Sequence, residues 1–191
     1  MPTSGCTDIT SVGISDGSFV VFDWDNTLKL YNKETKSISS RVDRDVLLAW
    51  KRGRGCRMYI ISAISPSRLN LETLLMEVER LGLRDVFVEP GEGIVLVPGR
   101  YARKGGVVVC GYDKAETFLE ISGFGGVEFT QDDDEHADGI SASTAKVADN
   151  VALETSKNRV SVPAVFFFDD EEVNVNNFSS IVPGSMCYLV K

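Results

Sequence analysis

The chain has 191 residues and carries 20 lysines and arginines against 28 aspartates and glutamates, a formal net charge of −8. The length suits one domain of about 150 residues with room for an insertion. A hydrophobic fraction of 43% argues against wholesale disorder, because it supports a packed core. The acidic balance argues against a nucleic-acid partner, since phosphate backbones are bound by basic faces.

The first half of the chain predicts alternating strands and helices. The apolar run SFVVFD, which ends in an acid, is typical of a strand buried on both faces. A second run, RMYIIS, ends in a hydroxyl, and Ser65 followed by Pro66 predicts the N-cap and first position of a helix. The predicted elements are a strand over 18–23, a small exposed hairpin flap over 28–40, a helix over 41–52, a strand over 57–62, a helix that ends at Gly82, and a strand over 85–89.

The second half predicts a hairpin, two helices and two further strands. Asp113 predicts the N-cap of a helix that begins at Lys114, and Glu116 completes a capping-box-like pair. The predicted elements are a hairpin between 94–97 and 107–112, the helix from Lys114, an exposed acidic loop over 132–139, a helix over 143–157, and strands over 164–168 and 186–190. This order is typical of an α/β protein with a mainly parallel five-stranded sheet between helices.

The sequence also bears on compartment. No apolar run reaches the ~18 residues of a membrane span, and the first residues lack the basic and apolar regions of a signal peptide. The cysteines are far apart and lack CxxC spacing, which is typical of free thiols in a reducing compartment. We therefore expect a cytoplasmic protein with no membrane partner.

Acidic residues follow two of the predicted core strands. Asp23 and Asp25 come after the first strand, and Asp169 and Asp170 come after the strand over 164–168. Ligands of open parallel sheets bind at the carboxyl ends of the strands, so we expect these acids to converge there. Converging carboxylates repel each other unless a cation compensates. Oxygen ligands suit a hard divalent ion, and the sequence therefore predicts a Mg²⁺ site.

A hydroxyl and a lysine complete the predicted site. Ser62 ends another core strand at the same edge and is placed to donate a hydrogen bond to a phosphate oxygen. A lysine at a helix start would neutralise both a phosphate and a nucleophilic aspartate. Each residue alone has an ordinary interpretation, because strand-end aspartates often form turns and most lysines are solvated. The pairing of acids on two core strands favours a site.

Two segments resemble motifs of the haloacid dehalogenase superfamily. VVFDWDNTL (20–28) resembles its first motif, and FFFDDEEVNVNNF (166–178) resembles its fourth motif, in the form found in small-cap magnesium-dependent phosphatases. The resemblance covers a core of about 18–90 and 163–190. It implies a single domain over 1–191, a Rossmann-like three-layer α/β/α fold with a small insertion within about 91–142, and no large cap.

The resemblance also implies roles for individual residues. Asp23 would be the nucleophile that forms an aspartyl-phosphate, and Asp25 would protonate the leaving oxygen and then activate water. Thr27 would brace the loop and, with Ser62, bind the substrate phosphate. The backbone carbonyl of Asp25 would be a metal ligand. The implied magnesium ligands are Asp23, Asp25, Asp169 and Asp170.

The third-motif lysine has two candidates. Lys114 follows a predicted helix cap and is favoured for that reason. Lys146 lies one predicted helix before Asp169, the more usual spacing in compact members of the family. With Lys114 as the catalytic and phosphate-binding lysine, the insertion is 123–142; with Lys146, it is 91–140.

These observations predict a Mg²⁺-dependent phosphohydrolase that acts on a phosphomonoester, either a small molecule or a protein. Because no segment is long enough for a large cap, bulky and macromolecular substrates are included. Three alternatives remain. One is a catalytically silent binding module, one is a polynucleotide 3′-phosphatase, which would need a more basic surface, and one is a phospho-receiver, which the DxDxT arrangement disfavours.

Overall fold

The computed structural model describes residues 8–125 and 162–191. The described residues up to Gly125 and from Pro163 onward belong to one compact unit. The predicted acidic loop, the predicted helix over 143–157 and Lys146 lie outside the described residues. In the described part, no helix has the length and apolar character needed to cross a membrane.

The described residues form an α/β structure with nine strands and five α-helices. The order is β1 (Phe19–Phe22), β2 (Lys29–Asn32), β3 (Ser37–Ser40), α1 (Arg44–Leu48) with a π-helical turn (Ala49–Gly53), β4 (Arg57–Ala63), α2 (Arg68–Arg80), α3 (Arg84–Phe87), β5 (Ile94–Val97), β6 (Tyr101–Lys104), β7 (Val107–Cys110), α4 (Lys114–Ser122), β8 (Val165–Asp169), α5 (Glu172–Ile181) and β9 (Met186–Leu189). A 3₁₀ turn (Ile9–Ser11) precedes them.

The central sheet has seven strands in the order β5-β6-β7-β4-β1-β8-β9. The strands from β7 to β9 in this order pair in parallel, whereas β5, β6 and β7 pair antiparallel. The prediction of a mainly parallel sheet is confirmed, but the prediction of five strands was wrong. The extra strands arise because β5 turns back at Gly99, whose φ of 72° suits a tight turn, and pairs with β6 rather than with β7.

The predicted strand over 85–89 was wrong, because residues Arg84–Phe87 form the short helix α3. Its two apolar residues, Val86 and Phe87, are buried, and periodicity cannot separate helix from strand in so short a run. The position beside β4 that was predicted for residues 85–89 is occupied by β7, and the close packing of β7 against β4 depends on Gly106. A side chain there would collide with the Met58 carbonyl. Three strands of the central sheet therefore come from 94–110, which lies within the insertion expected with Lys146 (91–140) and outside the one expected with Lys114 (123–142).

Other predicted elements differ only at their ends. The hairpin flap is confirmed as β2 and β3. The helix predicted from Ser65 begins instead at Arg68, where the Ser67 side chain accepts the Asn70 N–H at 3.1 Å. Residues 64–66 connect β4 to that cap. The helix predicted from residue 41 begins at Arg44, and α4 begins at Lys114 with Asp113 as its N-cap, as predicted.

Alternate residues of β1 belong to two separate core clusters. Val20 and Phe22 pack in the cluster that includes α2, and Phe19 and Val21 pack in the cluster that includes α4 and α5. All four residues are buried, as expected of a strand covered on both faces. Because side chains alternate along a strand, Asp23 follows Val21 onto the face that carries α4.

Candidate active site

Asp23 and Asp169 lie side by side at the carboxyl ends of two neighbouring parallel strands. The register pairs Phe22 of β1 with Phe168 of β8, and the Asp23 N–H donates to the Phe168 carbonyl at 2.8 Å. The side chains are 10% and 0% exposed, respectively. The edge of the sheet therefore holds two buried carboxylates from segments far apart in the sequence.

Lys114 joins these two carboxylates. Its Nζ donates to Asp23 Oδ1 and to Asp169 Oδ2, each at 2.6 Å, and its side chain is 6% exposed. Lys114 is the first residue of α4, and the Asp113 side chain accepts the Glu116 N–H at 2.9 Å, which fixes this helix start. The helix start predicted from the sequence therefore places Lys114 within hydrogen-bond distance of both carboxylates.

The surroundings of this ion-pair cluster disfavour the charged form of Asp23 and favour the charged form of Lys114. Burial raises the pKa of Asp23 to about 6, and the neighbouring Asp169 adds to the rise while Lys114 opposes it. Burial alone would lower the pKa of Lys114, but Asp23 and Asp169 outweigh that effect and raise it. The lysine therefore stays charged, while the ionised form of Asp23 is only partly compensated.

Asp170 adds a third carboxylate to the same place. One oxygen each from Asp23, Asp169 and Asp170 lies within 4.8 Å of the others. Asp169 Oδ1, the oxygen that does not contact Lys114, accepts the Glu171 N–H at 2.9 Å and the Asn174 side-chain amide at 3.1 Å, so this carboxylate is held in place. Three carboxylates opposed by one lysine fit a hard divalent cation with oxygen ligands, such as Mg²⁺.

The Asp25 side chain stands apart from this cluster. Its Oδ1 lies 2.6 Å from Lys29 Nζ, and the carboxylate side chain is 60% exposed. Lys29 Nζ also donates to Glu77 Oε2 at 2.9 Å, and the Trp24 indole N–H donates to the same Glu77 oxygen at 2.7 Å. Trp24 is 1% exposed and therefore belongs to the core rather than to a substrate surface.

Thr27 and Ser62 are both buried. Thr27 is 0% exposed, and among the described residues its Oγ1 has no hydrogen-bond partner. A covered hydroxyl is poorly placed to bind a phosphate, and it forms no hydrogen bond within the described part of the chain that would brace the loop. Ser62 is 4% exposed and lies at the carboxyl end of β4, two positions beyond Ile60, which pairs with Phe22 of β1. Its place at this edge agrees with a phosphate-binding role.

The residues that fix the loop after β1 were not predicted from the sequence. Arg41 donates from Nε to the Thr27 carbonyl at 2.7 Å and from Nη2 to the Asn26 carbonyl at 2.6 Å. Asn26 has a φ of 58°, so the loop turns sharply at this residue. Lys29 and Glu77 were also missed. No sequence signal marks these contacts, because the partners lie on separate elements.

Two clefts are lined by residues that belong to the candidate site or adjoin it in the sequence. One of about 560 Å³ is lined in part by Ala63, Arg100, Tyr112 and Asp113, the first and last of which adjoin Ser62 and Lys114 in the chain. Another of about 500 Å³ lies between the β2–β3 hairpin and Asp170. Asp170 lines this second cleft, whereas Asp23, Asp169 and Lys114 line neither cleft.

Comparisons with known proteins add no family assignment. No family model, no curated protein and no solved structure matches the chain. The interpretation of the site therefore depends on the two sequence motifs and on the geometry of the described residues.

Proposed function

We propose that this protein is a Mg²⁺-dependent phosphohydrolase of the haloacid dehalogenase type, which removes phosphate from a phosphomonoester through an aspartyl-phosphate on Asp23. The observation that carries the proposal is the contact of Lys114 Nζ with both Asp23 and Asp169, at 2.6 Å each, in a buried cluster at the carboxyl edge of the sheet. The three-layer α/β/α arrangement is part of the same proposal.

In the first step, an Asp23 oxygen attacks the substrate phosphorus as the bond from phosphorus to the leaving oxygen breaks. Asp25 gives its proton to that oxygen, so a neutral alcohol departs. Lys114 offsets the negative charge on Asp23 and on the transferring group. Ser62 supplies a hydroxyl hydrogen bond at the edge of the same site.

In the second step, a water oxygen attacks the phosphorus of the aspartyl-phosphate. Asp25, now ionised, takes a proton from this water, and the bond from phosphorus to the Asp23 oxygen breaks. Inorganic phosphate leaves, Asp23 returns as a carboxylate, and Asp25 is again protonated.

The acidic cluster explains the need for a metal. Two like charges 4 Å apart repel by about 4 kcal/mol at an effective dielectric constant of 20, and the cluster holds three carboxylates and one lysine before any phosphate arrives. Asp23, Asp169, Asp170 and the Asp25 carbonyl would hold Mg²⁺, which supplies positive charge that screens the phosphate from these carboxylates.

The proposed substrate class depends on which molecules can reach the acids and on the net charge of the protein. The cleft of about 500 Å³ is lined in part by Asp170, so a phosphorylated small molecule or a phosphorylated side chain of a protein would approach the acids from this cleft. A net charge of −8 disfavours a polynucleotide 3′-phosphatase, because such an enzyme must hold a polyanion. Phosphomonoesters without a polyanionic backbone are therefore the proposed substrates.

Hydrolysis of para-nitrophenyl phosphate tests the proposal. We expect activity that requires Mg²⁺, disappears with EDTA and is absent from the Asp23→Asn variant. Asp45→Asn is the matched control, since its side chain is 97% exposed and its partner is a surface arginine. If the folded, Mg²⁺-loaded wild type hydrolyses neither this ester nor a wide panel of phosphomonoesters, the proposed activity is refuted.

A catalytically silent binding module is the second candidate. The observation that favours it is the burial of Asp23 and Asp169, which are 10% and 0% exposed, because a covered carboxylate is poorly placed to attack a substrate phosphorus. A binding module would show Mg²⁺-dependent binding of phosphate esters, measured by calorimetry, without release of inorganic phosphate. Turnover that depends on Asp23 would exclude this candidate.

A further inference from the structure

Four side chains from the loop after β1, from β2 and from α2 form a continuous chain of polar contacts. Asp25 accepts from Lys29 at 2.6 Å, Lys29 donates to Glu77 at 2.9 Å, and Trp24 donates to Glu77 at 2.7 Å. Lys29 and Glu77 are separated by 48 positions in the sequence. The contacts therefore tie the loop that carries Asp25 to a helix elsewhere in the fold.

Lys29 differs from an ordinary surface lysine. Its side chain is only 12% exposed, and its ammonium group lies 5.8 Å from the centre of the Trp24 ring. Among the described residues, Lys29 is the one cation that contacts the Asp25 carboxylate. Two carboxylates and an aromatic ring therefore restrain a charge that a surface lysine would leave free to move.

We propose that Lys29, itself held by Glu77, is a positioning residue that sets the orientation of the Asp25 carboxylate for the two proton transfers of the phosphatase reaction. The inference rests on the proposed function and deepens it. Asp25 is 60% exposed, so its carboxylate has no surrounding wall that would limit its rotamers. The contact with Lys29 supplies that restraint.

The physical reason is geometric. A general acid must lie within hydrogen-bond reach of the oxygen it protonates, and a displacement of about 1 Å in a catalytic geometry can lower a rate by about 100-fold. Removal of Lys29 frees Asp25 to sample other rotamers. Proton donation suffers most for substrates whose leaving group is poor, because such groups depend most on the proton.

Two aryl esters of similar shape separate this role from a structural one. Phenyl phosphate has a poorer leaving group than para-nitrophenyl phosphate, so its reaction relies more on Asp25. We expect Lys29→Met to lower kcat/KM for phenyl phosphate by about 10- to 100-fold and for para-nitrophenyl phosphate by about 3-fold or less. The ratio of the two kcat/KM values is the readout, since a general loss of folded enzyme leaves it unchanged.

Lys51→Met is the matched control. Lys51 is 17% exposed and lies 2.5 Å from Glu89, which is 61% exposed, so the pair closely resembles Lys29 and Asp25 in burial and distance. This pair involves none of the proposed site residues. We expect Lys51→Met to lower kcat/KM for the two esters equally, if at all.

Milder variants keep the inference testable if Lys29→Met folds poorly. Lys29→Arg retains the charge and should restore much of the kcat/KM ratio, whereas Glu77→Ala removes the anchor of Lys29 and should change the ratio in the same direction as Lys29→Met. In an Asp25→Asn background, Lys29→Met should change kcat/KM for phenyl phosphate by less than about twofold, because residues in one network are not additive.

The outcomes separate this inference from the proposed function. Wild-type protein without Mg²⁺-dependent turnover of either ester overturns both. An active wild type whose kcat/KM ratio is unchanged in Lys29→Met, or changed equally in Lys51→Met, overturns the positioning role alone. A full effect of Lys29→Met in the Asp25→Asn background also overturns it, since Lys29 would then act by another route.

Discussion

Replacement of Asp23 by Asn provides a quantitative test of the electrostatics of the acidic cluster. The variant should lose phosphatase activity because the amide cannot act as the nucleophile. In metal-free protein it should also be more stable than the wild type at neutral pH. Asn resembles the protonated carboxyl group in shape, so the substitution removes a buried charge with little change in packing.

The size of this effect follows from the pKa of Asp23, which burial raises from 3.8 to about 6. One pKa unit corresponds to about 1.36 kcal/mol, so ionised Asp23 costs the folded state roughly 3 kcal/mol. Because the folded pKa lies above the unfolded one, the folded state binds the proton more tightly. Wild-type stability therefore falls as pH rises from about 4 through about 6, and it falls no further from this group above that range.

Urea unfolding in EDTA measures this difference. We expect Asp23→Asn to exceed the wild type by about 2–3 kcal/mol at pH 7.5 and by less than about 1 kcal/mol at pH 4. Mg²⁺ should narrow the gap at pH 7.5, since the cation stabilises the wild-type carboxylate. A variant that is less stable than the wild type at pH 7.5, or whose advantage is equal at both pH values, would refute the reasoning.

The acidic cluster and the aromatic core support three further predictions. Lys114→Met should abolish turnover. It should also lower the free energy of unfolding, measured in urea at pH 7.5, by about 3–5 kcal/mol, because it leaves two buried carboxylates uncompensated. A loss of stability under 1 kcal/mol would contradict this account. Mg²⁺ should raise the thermal unfolding midpoint of the wild type until binding is saturated. In Asp170→Asn, saturation should require a higher Mg²⁺ concentration. An equal response of both proteins would exclude Asp170 as a ligand. Phe118→Ala should cost about 3–5 kcal/mol of unfolding free energy, since this fully buried ring contacts Phe19 and Phe178 at centroid distances of 5.4 and 5.5 Å; a loss below 1 kcal/mol would show that the core repacks around the cavity.

The sequence predicted the central strands well because burial on both faces leaves a continuous apolar run. The strands β1 and β8 lie where such runs predicted them, and each is fully buried. It failed at residues 85–89, where three apolar and two acidic residues suit a strand or a helical turn equally. The partner of β5 was also predicted wrongly. Strand pairing depends on which segment a turn places beside β5, and here that segment is β6.

Some residues of the candidate site could be predicted from the sequence, and others could not. Strand-end acids and a capped helix start are local patterns, so Asp23, Asp169 and Lys114 were identified from sequence, and parallel strand topology explains why they meet. Lys29 and Glu77 carry no local pattern, since a lysine on a hairpin and a glutamate on a helix look like solvated surface. Their contact at 2.9 Å joins β2 to α2.

The sequence by itself determined the α/β class, the buried strands and the acids that end them, because these features depend on the periodicity of burial and on the chemistry at chain turns. Only the tertiary structure decided the seven-strand order, the bridge from Lys114 to two carboxylates and the orientation of Asp25 toward Lys29. These features depend on which residues meet across long sequence separations, and that is set by the packing of whole elements rather than by any local pattern.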